Sequence, residues 1–407
     1  MKKYLLIIYF AFTAASIYPQ ESKSDFGFSL SGFLKTDIFF DSRQTVSARE
    51  GHFLLYPSSE SFDVNNFDIN DKANFNILSI QSRLTGKITA PDAFGAKTSG
   101  TLEGEFFGTA DSDMNGFRLR HAYVKLDWEK VSLLVGQTWH PMFITDLVPG
   151  TVSFNTGAPF NPFSRNPQIR VTATVDKFKF IAAALTQRDF QSNGPAGFSS
   201  SYLRNNIIPN LHGQIQFGSE GNLAGIAIDY KSLKPRLVTS KNISTNETIS
   251  SFAASAFFKI NLRPFTIKAQ GVYGGNLTDL MMLGGYAVKS IDTTSGKETY
   301  TDLKSLSGWI DVSTGKEIEF GLFAGYSKSL GASDNVVGSY YGRGINIENL
   351  FRVSPRIQFN SGKTKISTEL EYTSAGYGLN DNDDKGKIVN IKSVANIRVL
   401  LAFYYFF

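Results

Sequence analysis

From Asn76 to Thr89 the chain reads NILSIQSRLTGKIT, with Leu78, Ile80, Leu84, Gly86 and Ile88 on even positions. Ser79, Gln81, Arg83, Thr85, Lys87 and Thr89 fill the odd ones. A period of two puts the sets on opposite faces of one β-strand. The pattern recurs. Leu211, Gly213, Ile215 and Phe217 alternate with His212, Gln214 and Gln216, and Ile169, Val171, Ala173 and Val175 with Arg170, Thr172 and Thr174. Leu306–Val312, Ile318–Tyr326 and Ile366–Tyr372 behave alike. In a soluble protein the oily faces would meet in a core. In a membrane barrel they point outward at lipid, and the charges line a lumen.

The connections favour the barrel. Short ones fall at Ala90–Lys97, Trp128–Ser132, Val175–Phe178, Gly218–Asn222, Asn261–Pro264, Ser313–Glu317 and Asn360–Lys363. Between them come longer ones at Asp41–Ala73, Thr109–Gly116, His140–Pro167, Arg188–Ile208, Lys231–Asn246, Gly274–Asp302, Ser329–Gly342 and Gly378–Lys387. Seven short and eight long connections in strict alternation predict sixteen strands, with short periplasmic turns at one rim and long extracellular loops at the other. The predicted fold is an all-β transmembrane antiparallel barrel over residues 25–407, of a size that can hold water. No run after the N-terminus has the length of a membrane helix, so a closed barrel is the remaining way to cross lipid. In the last strand Ile397, Val399, Leu401, Phe403, Tyr405 and Phe407 share one face. Leu400, Ala402, Tyr404 and Phe406 are apolar as well, and are expected to be covered from inside near the periplasmic rim.

Composition agrees with this reading. The 407 residues include 35 Phe, 17 Tyr and 36 Gly, with only 19% charged and no cysteine, which excludes disulfides and thiolate chemistry. The N-terminus MKKYLLIIYFAFTAAS has a basic start, a short apolar run and small residues after it, so residues 1–20 read as a cleaved signal peptide. Losing Lys2 and Lys3 takes the formal charge from +5 to +3, too little to make nucleic acid a partner. The expected place is the outer membrane of a Gram-negative bacterium.

Three segments carry a family likeness: GFLKTDIFFDSR (Gly32–Arg43), FRLRHAYVKLDW (Phe117–Trp128) and LLVGQTWHPMF (Leu133–Phe143). Together they resemble the DcaP-like porins, a trimeric outer-membrane family of the porin superfamily. RLRHAYV and VGQTW are the specific pieces. The resemblance implies a sixteen-stranded, water-filled homotrimeric channel for small, often anionic solutes. It also implies that the terminal Phe407 serves as the signal such barrels present to their assembly machinery. Some relatives have a helical extension before the barrel. Here only a few residues separate the signal from the first strand near Phe26, so trimer contacts are expected from the barrel walls.

The residues expected to set permeation follow from facing. In porins the third long loop narrows the lumen; here residues 140–167 hold Phe154, Phe160, Phe163 and Arg165. An external cap or trimer contact is the other role for such a loop. Basic candidates for the lumen wall are Arg83, Lys125, Arg170, Lys268, Arg352, Arg356 and Arg398, with acidic counterparts Glu103, Glu105, Glu369 and Glu371. Arg118 and Arg120 share parity with Ala122, Val124 and Leu126, so their facing requires a bulge or a place above the lipid band. Each of these charges could equally pair across strands and stiffen the wall. As a set they predict a passive channel for small hydrophilic solutes with a modest anion preference.

Alternatives are a substrate-specific channel for small carboxylates and a surface adhesin or receptor barrel. Enzymatic readings fare poorly. SGKT at Ser361–Thr364 resembles the end of a phosphate loop, but Ile357 stands where the first glycine belongs, and the segment joins two strands. His52, His121, His140 and His212 are scattered without ligand spacing. No metal and no cofactor are expected; the expected partners are outer-membrane lipid, small solutes and two further copies of the chain.

Overall fold

A computed structural model describes residues 26–108 and 111–407. The signal peptide expected over residues 1–20 lies outside the described residues. Sixteen antiparallel strands form a closed barrel: β1 (Gly27–Asp41), β2 in two pieces (Asn74–Leu78 and Arg83–Ala93), β3 (Ala96–Glu105), β4 (Arg118–Asp127), β5 (Val131–Trp139), β6 (Arg165–Val175), β7 (Phe178–Leu185) and β8 (Asn210–Ser219). They continue as β9 (Asn222–Leu233), β10 (Ile249–Leu262), β11 (Phe265–Gly275), β12 (Glu298–Gly315), β13 (Ile318–Ala332), β14 (Ile347–Ser361), β15 (Thr364–Asp381) and β16 (Lys387–Phe406). The last strand pairs with the first, Phe406 opposite Phe33 and Arg398 opposite Asp41, so the sheet has no free edge.

Short turns gather at one rim with both ends of the barrel. At the β8–β9 turn Glu220 and Gly221 both take positive φ (53° and 81°), the conformation that a two-residue hairpin matching the strand twist requires. Loops gather at the other rim. Two of them turn inward: L1 (residues 42–73), which contains a small hairpin of Thr45–Ala48 against Phe53–Pro57, and L3 (residues 140–164). The loop expected at Gly378–Lys387 is shorter than predicted, because β15 and β16 stay paired out to Asp381 and Lys387.

The outer wall follows the alternation. Leu211, Ile215, Ile226, Leu306, Ile310, Leu370 and Phe403 project outward and are exposed, as are Ile397, Val399 and Tyr405 of β16. A closed wall with an apolar exterior and a charged interior satisfies its own backbone and leaves its outer side chains for lipid. Leu400 and Ala402, on the inner face of β16, are covered by Phe39 of β1 and Val152 of L3.

Two places depart from the simple pattern. The stretch read as one strand from Asn76 to Thr89 is broken at residues 79–82. Asp37 pairs with Leu78 and Phe33 with Arg83, so β1 advances four residues while β2 advances five. That extra residue switches facing. Before the break Phe75 and Ile77 look outward, whereas Leu78 and Ile80 join the interior apolar cluster; after it Leu84 looks outward and Arg83 inward. The expected uniform oily face is therefore wrong for Leu78 and Ile80. The second departure is a bulge at Arg120 in β4, where β3 residues Glu103 and Gly104 pair with His121 and Leu119. It turns Arg118, Arg120 and His121 inward while Val124 stays outward, which settles the parity problem of RLRH.

Ile228, near the middle of β9, is 67% exposed on the outer wall. Ile228→Arg is expected to lower unfolding free energy by about 2–4 kcal/mol, the usual cost of a cation at the midplane of a barrel wall. Denaturant titration in lipid vesicles measures it; an unchanged midpoint would mean that this face does not meet hydrocarbon.

Candidate functional site inside the barrel

L3 leaves β5 at His140, crosses the interior and rejoins the wall at β6. Its backbone carries polar groups away from water, and each needs a partner there. The wall supplies them from long side chains. Gln270 donates to the Met142 carbonyl (3.0 Å), Lys268 to Val148 (2.7 Å), Lys35 to Val152 (3.0 Å) and Ser307 to Phe160 (3.1 Å). Glu369 accepts the Val152 and Ser153 N–H groups at 2.7 and 3.2 Å, and Glu371 accepts from the Asn155 amide at 2.9 Å. Arg352 donates to the carbonyl of Ala158 in L3 (2.6 Å) and to that of Leu55 in L1 (2.7 Å), so one guanidinium holds both inserted segments.

Between these anchors lies an apolar core inside the barrel. Phe154 stacks near Phe107 at 4.0 Å, Phe53 meets both Phe154 and Phe163, and Trp139 stacks on Phe143 at 4.0 Å. Phe160 packs against Phe323, which together with Trp309 comes from the inner wall. Burying a phenylalanine is worth about 1.5–3 kcal/mol relative to leaving it in water. The interior is thus not uniformly wet: its loop-side half is filled.

The charged candidates sort by what they touch. Arg398 is locked to Asp41 (2.6 Å) and the Gly51 carbonyl; Arg356 makes a two-pronged pair with Asp311 (2.6 and 3.2 Å) and reaches Glu319. A second cluster gathers Arg83, Arg118, Arg120 and Arg165 around Glu103, Glu105 and Asp189. Arg120 bonds Glu103 (2.7 Å) and Glu105 (2.6 Å), Arg83 bonds Glu105 (3.2 Å), and Arg118 and Arg165 bond Asp189 (3.0 and 2.8 Å). Asp189 sits in L4 (residues 186–209); burial would raise its carboxyl, but Arg165 and Arg118 hold it below the ordinary range. Arg120, Arg165, Arg352, Arg398, Glu105, Glu369 and Glu371 are all buried beneath or between the loops and do not face open space.

Open space remains on the short-turn side. A cavity of about 510 Å³ is lined by Tyr123, Trp139, Phe143, Gln214 and seven charged residues: Lys125, Lys130, Arg170, Lys179, Asp127, Glu129 and Asp146. Lys125 pairs with Asp127 at 2.6 Å. Arg170 donates to Gln168 (2.8 Å) and the Trp139 carbonyl (2.6 Å). Among the described residues neither Arg170 nor Lys179 has a carboxylate at ion-pair distance. Lys179 escaped the sequence reading because Phe178 and Phe180 flank it; alternation within FKF was its signal.

His140 and His212, which no spacing along the chain connects, meet beside Asp229 of β9. Burial outweighs the pull of Asp229 and pushes the His140 imidazole down to about 4. His121 and His212 both face inward and are buried.

Glu105 is enclosed by four arginines and fully buried. Glu105→Gln leaves those guanidiniums under-compensated and is expected to lower unfolding free energy by about 3–5 kcal/mol. Breaking the half-exposed Lys125–Asp127 pair with Lys125→Met should cost about 1 kcal/mol or less. Denaturant midpoints of the two variants compared with the parent barrel check the contrast; equal shifts would contradict it.

The fold and this interior can be set against known proteins. The sequence model of the DcaP outer membrane protein family matches residues 55–207, the segment holding L3 and the arginine cluster. No curated protein sequence matches the chain. Among solved structures, the outer membrane channel DcaP of Acinetobacter baumannii superposes with a TM-score of 0.67 at 15% identity, covering 96% of this chain and all of that one. An anion-selective porin from Comamonas acidovorans (TM-score 0.55, 12% identity, 94% and 100% coverage) has a similar barrel. So does the trimer form of OmpT from Vibrio cholerae, with the same four values. The profile match spans 153 of the 407 residues, so that segment is similar to the DcaP outer membrane protein family, and the closed sixteen-stranded barrel as a whole matches these porins in fold.

Proposed function

We propose that the barrel passes small hydrophilic solutes by passive diffusion across the outer membrane, with a modest preference for anions. It reaches that membrane behind a cleaved signal peptide and works there as a homotrimer. The observation that carries this reading is the charge balance of the short-turn cavity: four cations against three carboxylates, with Asp127 already neutralised by Lys125 and Arg170 and Lys179 unpaired. Unpaired wall charge in a narrow hydrated space raises the local concentration of counter-ions without closing a binding site. Lys365 adds a further cation near that rim, held over the Tyr404 ring at 4.2 Å with no carboxylate at ion-pair distance among the described residues. An excess this small supports weak selectivity only.

Two neighbours in fold agree in kind: the Comamonas acidovorans barrel is an anion-selective porin, and OmpT of Vibrio cholerae takes a trimer form. The inward course of L3 supports its role as the constriction, with Phe154, Phe160, Phe163 and Arg165 shaping the passage by filling the loop-side half.

Planar-bilayer recording tests the proposal. Insertion should give conductance in groups of three steps, and reversal potentials in a salt gradient should favour the anion slightly. In the double variant Arg170→Gln with Lys179→Gln the anion-to-cation permeability ratio should fall to about one or below. Strong cation selectivity in the parent protein, or an unchanged ratio in the variant, overturns the assignment.

A further inference from the structure

We propose that His140, His212 and Asp229 form a binding site for a single divalent transition-metal ion of the zinc class, tying the start of L3 to the barrel wall. Two of the three ligands are placed by the sheet itself. His212 on β8 and Asp229 on β9 stand directly opposite each other in register, both facing inward. The third arrives from the first residue of L3. All three are buried, and one donor atom from each lies within 4.8 Å of the other two.

The spacing suits the chemistry. Asp229 Oδ2 lies 3.2 Å from His212 Nδ1 and 3.5 Å from His140 Nε2. A tetrahedral ion with bonds of about 2.0–2.1 Å to nitrogen and oxygen separates its ligands by about 3.3 Å. Two imidazoles and one carboxylate are a donor set for zinc and its neighbours, not for calcium or magnesium, which take oxygen.

The donor atoms of the three residues converge on the Asp229 carboxylate. In the tautomer with the proton on Nε2, His212 donates to Gln214 Oε1 at 3.0 Å and its Nδ1 presents a lone pair. Nδ1 lies 3.2 Å from an Asp229 carboxylate oxygen, a hydrogen bond when Nδ1 carries the proton and a place for a cation when Nε2 carries it. His140 Nε2, 2% exposed as a residue, has no hydrogen-bond partner and is turned to the same oxygen. The Asn210 amide holds both oxygens of Asp229 at 2.9 Å, which fixes the carboxylate plane as supporting residues of metal sites do. Lys231 does not compete, because its ammonium is bonded to Asp279, whose other oxygen accepts from Gln187 at 3.0 Å.

One contact must change. The Met142 N–H donates to His140 Nδ1 at 3.2 Å. Binding at Nε2 moves the ring proton to Nδ1 and breaks that bond, so the turn at Pro141–Met142 yields slightly as the ion enters. Ligation at Nε2 is then accompanied by release of any proton the ligands carried.

The test uses the whole barrel in detergent, stripped of metal by a chelator, and no solute. Calorimetric titration with Zn²⁺ should saturate at one ion per chain, and Co²⁺ should give the intense visible bands of a tetrahedral site. His212→Ala and, separately, His140→Gln should each weaken Zn²⁺ binding at least about 10-fold. His140→Gln changes only the loop side, and the heat-dependent gel shift of folded barrels verifies that it has assembled. No saturable ion, an octahedral Co²⁺ spectrum, or undiminished binding in the folded variants would overturn the site and show that a proton alone sits between His212 and Asp229. Conductance plays no part in the readout, so this outcome leaves the permeation proposal standing.

Discussion

Peptide groups that enter the barrel without water must find partners on its wall. L1 and L3 bring such groups in, and the wall answers with charged and amide side chains: Arg352, Lys268, Lys35, Gln270, Glu369 and Glu371. An unmet buried carbonyl or N–H costs about 1–3 kcal/mol, so the inward fold of the loops depends on these contacts. The aromatic core of Phe53, Phe154 and Phe163 then packs in the space that the anchors define.

That constraint divides the lumen charges into two populations. One serves the fold: Arg398 with Asp41, Arg356 with Asp311, and the arginine cluster around Glu105 and Asp189. Buried ion pairs of this kind add little net stability against apolar replacements, but losing one partner is expensive, which makes them positional devices. The other population, Arg170 and Lys179 foremost, faces open space and retains its field. In the proposed channel it is this smaller group that sets selectivity.

Much of the architecture could be read directly from the chain. Alternation at Leu211–Phe217 and Ile169–Val175 maps onto the outer wall without change, and the short and long connections count the strands. At β2 the same rule misleads, because Leu78 and Ile80 look like lipid-facing residues while one extra residue relative to β1 turns them inward. Hydropathy carries no information about a register slip. Arg118 and Arg120 raised their own flag by violating parity, and the bulge answers it. The interior was less legible. That Arg352 and Glu371 serve as loop anchors depends on where L3 runs, and the meeting of His140 with His212 depends on the barrel's curvature; neither leaves a trace in local spacing.

The double grip of Arg352 has a mechanical corollary. Because one planar group donates to Leu55 in L1 and Ala158 in L3, either segment swinging away strips a hydrogen bond from a buried guanidinium that the other segment shares. One shared donor thereby couples two stretches far apart in sequence.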